Sequence, residues 1–141
     1  MDVNDSRPAA VTAAFWALLV GAVLLMAGGL IAATVGFDSL RQAAPPTVSD
    51  DALRNYARLY RGAGILFALA AAGLAVLAMR ARDGDPRFRR AATTLGLAIV
   101  VLVGLAAVFA GTHILALLSL LPIVVGTLLL GRPGVAEWYA R

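Results

Sequence analysis

The run Ala91–Gly131, "AATTLGLAIVVLVGLAAVFAGTHILALLSLLPIVVGTLLLG", contains 41 consecutive residues without an acid, an arginine or a lysine. As one helix it would extend about 61 Å at 1.5 Å per residue, roughly twice the ~30 Å hydrocarbon thickness of a bilayer. It must therefore fold back on itself. The only polar interruption is Gly111–Thr112–His113, where a glycine can end one helix and a threonine can cap the next. This reading predicts two spans, 91–110 and 112–131, joined as a tight hairpin.

Two further uncharged runs precede it. Residues 9–37 would make a helix of about 43 Å, long enough to cross with tilt, and residues 62–79, bounded by Arg61 and Arg80, just suffice for a crossing. The first run is too long for the ~7–15-residue apolar core of a cleaved leader, and its flank places Asp2 and Asp5 beside a single Arg7. It is read as a retained span. The composition agrees: 61% of the 141 residues are hydrophobic, against roughly 45–50% in soluble domains. The expected fold is an all-α membrane protein, a four-transmembrane-helix bundle forming one domain over 1–141, with an extramembrane helical extension before the second span.

That extension is "SDDALRNYARLYRG", Ser49–Gly62. Ser49 is a suitable N-cap, Asp50 and Asp51 fall where the helix dipole favours negative charge, and Asp50 is placed to pair with Arg54 at i+4. "AAPP", Ala43–Pro46, separates this helix from the first span. The helix is expected to run unbroken into the second span, with Arg54, Arg58 and Tyr60 as interfacial contacts.

All twelve basic residues are arginine. An even number of spans leaves both termini on one side, together with Arg7, Arg80, Arg82, Arg87, Arg89, Arg90, Arg132 and Arg141. Arg41, Arg54, Arg58 and Arg61 fall on the other. The positive-inside rule then expects both termini in the cytoplasm and the chain in the inner (cytoplasmic) membrane. Arginines beside apolar spans are explained by orientation and lipid contact, so nucleic acid is not an expected partner.

Within the first span, Ala13, Ala17, Gly21 and Gly29 lie on one i+4 line, a candidate face for helix packing or partner docking. Pro122 would free the carbonyl of Leu118 in the last span, with Ser119 near enough to help satisfy it. Trp138 and Tyr139, following Arg132 and Pro133, have the character of an interfacial foot.

Few chemistries remain. No acid, arginine or lysine lies within a span, which weighs against ion-coupled transport and proton relays. One histidine and no cysteine supply few parts for a triad, a thiolate site or a haem pocket. Asp83 and Asp85 sit in a Gly/Pro turn among arginines, which disfavours a divalent cation. No catalytic, cofactor or metal site is expected. The alanine- and arginine-rich layout, the outer charged helix, the basic "RARDGDPRFRR" loop and the "RPGVAEWYAR" ending resemble small uncharacterised four-span membrane proteins of actinobacteria; the resemblance implies an inner-membrane location and no activity. The functional expectation is a non-enzymatic accessory or assembly subunit of a larger envelope or respiratory membrane complex. The alternative is a small homo-oligomeric transporter or channel for an uncharged or lipid-like solute.

Overall fold

The computed structural model describes residues 7–109 and 111–141. Asp2, Asp5 and residue 110, which entered the sequence reading, lie outside them. The described chain is all helix and connection: α1 Ala9–Ala33, α2 Phe37–Ala43, α3 Asp50–Arg82, α4 Pro86–Phe109, α5 Ile114–Leu130 and α6 Pro133–Tyr139. Three of these, α1, α3 and α4, are long and apolar enough to cross a membrane. α5 and α6 meet at a 64° bend and supply a fourth crossing if taken together.

The first uncharged run does not make one helix to Phe37. α1 stops at Ala33, where the Thr34 hydroxyl donates to the Ile31 carbonyl at 2.9 Å, and Gly36, in extended conformation, opens the short helix α2. Lack of charge permits a span but does not fix its end. α3 begins as its sequence indicates, with Ser49 Oγ accepting from Ala52 N at 3.2 Å, and it continues without a break for 33 residues. The expected Asp50–Arg54 pair is absent. Arg54 instead pairs with Asp51 at 3.3 Å, and Asp50 with Arg41 of α2 at 3.0 Å.

The hairpin turn also departs in detail. Gly111 takes the left-handed conformation, φ +77°, but the cap of α5 is His113 rather than Thr112. Its Nδ1 accepts from Leu115 N at 3.2 Å. Near Pro122, Ser119 donates to the Ala116 carbonyl instead of helping Leu118, and α5 runs through the proline as one helix.

Four helices form a ring in which α1 packs on α3 and α5, and α4 packs on α3 and α5. Leu18, Leu25, Leu74, Ile99, Val103 and Ile123 fill its interior and are essentially inaccessible. Each such side chain contributes about 1.5–3 kcal/mol when it leaves water. In lipid that term vanishes between helices, and shape complementarity takes its place.

Candidate functional site

Small residues bring three helices together toward the loop end of the ring. A methyl group at Gly29 would lie 2.5 Å from the Gly64 carbonyl oxygen and 3.0 Å from Ala68 N, so α1 and α3 touch backbone to backbone. On the opposite flank a methyl group at Gly28 would lie 2.9 Å from Ala116 N of α5. Adjacent glycines thus seat α1 against two neighbours at one level. Lower in the bundle the approaches differ in kind. Gly21 faces the Ile123 side chain, Gly126 faces Leu18, and Gly96 faces Thr127, each at about 2.5–2.6 Å from an added methyl.

The i+4 line read from the sequence divides across this geometry. Gly21 and Gly29 are buried in the α1 contacts, Ala17 is half-buried and Ala13 is exposed. Ala14 and Ala22, one position away, are buried with Leu18 and Leu25. Ala13 therefore belongs to the outer surface, and the packing face is the broader strip from Ala14 to Ala32.

At the loop end of the bundle, where α2 and the 111–113 turn lie, α1, α3, α4 and α5 leave a pocket of about 80 Å³. Its floor is made of Gly28, Ala32, Gly64 and Ala116, the same small residues that allow the close approach, together with Phe67. Tyr56 and Tyr60, stacked with ring centres 5.7 Å apart, stand at its α3 wall. Ala106 comes from α4, and Thr112 and His113 from the turn. The Nδ1 of His113 is taken up by the capping hydrogen bond from Leu115 N. Among the described residues, no acid or arginine lines the pocket.

Above the pocket, arginines tie down the connection between α1 and α3. Arg41 donates to the Val48 and Pro45 carbonyls at 2.7 and 2.8 Å, and Arg61 Nε donates to the Val35 carbonyl at 2.8 Å. Arg54 lies over the Phe37 ring at 5.4 Å. Arg58 is exposed and makes no hydrogen bond or ion pair among the described residues. Of the four expected interfacial contacts, Tyr60 therefore lines a pocket, Arg54 is engaged with its own chain and Arg58 remains available.

The fourth, Trp138, is at the other end, half-buried over the α3–α4 turn. Gly84 holds φ +98° there, and a methyl group on it would lie 3.2 Å from the Trp138 ring. The residue that anchors α6 is its neighbour. Tyr139 is buried, donates its hydroxyl hydrogen to the Ala81 carbonyl, and carries Arg89 over its ring at 5.5 Å. Arg89 also donates to the Leu130 carbonyl at 2.9 Å, completing the end of α5. Arg82 lies over Phe15 at 4.7 Å. The signal in the sequence was the Trp–Tyr pair after a proline, which marks a foot but does not say which ring turns inward.

No group of three or more histidine, cysteine, aspartate or glutamate side chains is placed to hold a metal ion among the described residues. Among the described residues the buried polar side chains Ser119 and Thr127 each donate to carbonyls of their own helix. Comparison with known proteins finds no matching family model, curated protein or solved structure.

Proposed function

We propose that this chain is a non-enzymatic accessory or assembly subunit of a larger inner-membrane complex, folded as a four-span bundle with α3 projecting beyond the bilayer and both termini in the cytoplasm. One observation carries this reading: below the loop-end pocket the ring is filled. Large side chains inaccessible to solvent occupy it from Val11 through Leu18, Leu25 and Leu74 to Ile99 and Ile123, and its buried hydroxyls are committed to their own backbone. A solid helical body of this kind offers surface rather than a conduit. Its outer faces, with Val23, Leu69, Leu97, Val101 and Leu121 exposed, suit lipid or a neighbouring membrane helix. The α3 helix would be about 50 Å long, so a third or more of it stands outside a ~30 Å core.

The second reading, a small homo-oligomeric transporter or channel for an uncharged or lipid-like solute, draws on the uncharged pocket at the loop end. Purification in mild detergent with identification of co-purifying proteins separates the two. Stoichiometric recovery of other membrane proteins is expected, whereas a lone homo-oligomer would overturn the subunit reading. Orientation is tested in the same cysteine-free chain. In intact cells an impermeant thiol reagent should label Thr47→Cys and spare Arg87→Cys, both at exposed positions; the reverse pattern would invert the topology.

A further inference from the structure

We propose that the loop-end pocket is a binding site for one hydrocarbon chain of a membrane lipid. The inference rests on the membrane reading of the helices; it requires neither the subunit nor the transporter reading, although the latter draws on the same pocket. The pocket's volume of about 80 Å³ is several times the ~10–15 Å³ that a single water requires on this scale. Water nevertheless has little to hold it: the walls are almost entirely carbon, contributed by Ala32, Tyr60, Ala63, Phe67, Ala106 and Ala116. An apolar cavity of this kind stays dry and takes an apolar guest. No acid or arginine among the described residues lines it, which disfavours a phosphate or carboxylate head inside and leaves the chain itself as the bound part.

Its position selects the guest further. The pocket begins beside Tyr56 and Tyr60, the latter next to Arg61 in the chain, and reaches down α3 to Phe67. On the membrane reading this is the stretch from the headgroup level, which tyrosines favour, to about 10 Å below Tyr60. That depth is occupied by the upper and middle methylenes of acyl chains. The small residues on its floor cannot be enlarged to fill the void, because Gly28 and Gly64 are needed for the backbone contacts of α1. A lipid chain supplies the missing contacts without disturbing the crossing.

The test uses the full chain in vesicles of phosphatidylethanolamine and phosphatidylglycerol containing a trace of phosphatidylcholine with a mid-chain diazirine. After illumination, crosslinked residues are mapped by peptide mass spectrometry. The expected result is labelling at Tyr60, Ala63 or Phe67 that 1-dodecanol competes away, beside labelling at the exposed Leu97 and Val101 that it does not. Ala63→Phe, and independently Ala106→Leu, should fill the pocket and abolish the competable labelling while leaving that at Leu97 and Val101. The proposal is overturned if the pocket residues are unlabelled while Leu97 and Val101 react, as they would be if a partner side chain filled the site. It is equally overturned if their labelling is not competable, or persists in both filled variants. Absence of labelling at Leu97 and Val101 as well would remove the membrane reading on which the site depends.

Discussion

The upper and lower halves of the ring solve the same packing problem with different materials. Near the loop end, Gly28, Gly29 and Gly64 bring backbone against backbone, with carbonyl oxygens and amide nitrogens as the surfaces that meet. Toward the termini, Gly21, Gly96 and Gly126 receive the side chains of Ile123, Thr127 and Leu18, and α6 closes the end through Tyr139 and Arg89. Backbone cannot change rotamer, whereas an isoleucine or leucine can. The upper half should therefore be intolerant of added volume and the lower half adaptable, although both depend on glycine.

The largest effect is expected at the rigid crossing. Gly64→Ala places a methyl group against the Gly29 carbonyl and within 2.8 Å of Ala33 N, so the helices must separate. Its cost should reach or exceed about 3 kcal/mol, the upper end for overpacking, measured as thermal unfolding in detergent. No trimming of a neighbouring side chain should restore it. An intermediate cost is expected where side chains can yield: Gly126→Ala should lose about 1–2 kcal/mol, and pairing it with Leu18→Val, which shortens the facing group, should recover part of that. Equal losses at Gly64 and Gly126, or rescue at neither, would erase the distinction between the halves.

The two faces of α1 give a related comparison at similar cost. Ala14 is fully buried and its carbonyl lies 3.2 Å from a methyl added at Gly126, whereas Ala13 is exposed. Ala14→Leu should destabilise the protein by about 1–3 kcal/mol, Ala17→Leu by less, and Ala13→Leu negligibly. Tyr139→Phe removes only the hydrogen bond to the Ala81 carbonyl and should cost about 1 kcal/mol, read as freer access to a cysteine at Val135 before global unfolding. The smallest effect belongs to Arg41→Ala. Its guanidinium joins two carbonyls and Asp50 near the surface, and global stability should fall by about 0.5 kcal/mol, with faster amide exchange confined to residues 37–50.

Charge and its interruption made much of this architecture legible. The Ser49 cap and the continuity of α3 into an apolar helix follow from local chemistry that needs no partner. The turn at Gly111 was readable for the same reason, since a left-handed residue is required there and glycine adopts it without steric cost. Interhelical choices were not readable. α1 is apolar all round, and its alanines and glycines make several i+4 lines, so sequence spacing could not distinguish Ala13 from Ala14. The neighbours made that choice. Asp50 likewise had two arginines in reach, and the path of α2, hidden in an uncharged stretch, delivered Arg41 in place of Arg54. The pocket was the least visible feature, because it is a gap among residues contributed by four helices and the 111–113 turn.

The double seat of α1 also has a meaning in time. Gly29 meets its partner on the next long helix to be made, but the counterpart of Gly28 is Ala116, far downstream. At about 5–20 residues per second, the ribosome needs on the order of ten seconds to synthesise the intervening chain. On the proposed membrane reading, once α3 is in place the first helix has one groove matched while its opposite groove is filled by lipid, which α5 must displace on arrival. On that reading, completion of the ring is an exchange between chain and solvent lipid, and bilayer composition would set its rate without altering any contact in the finished protein.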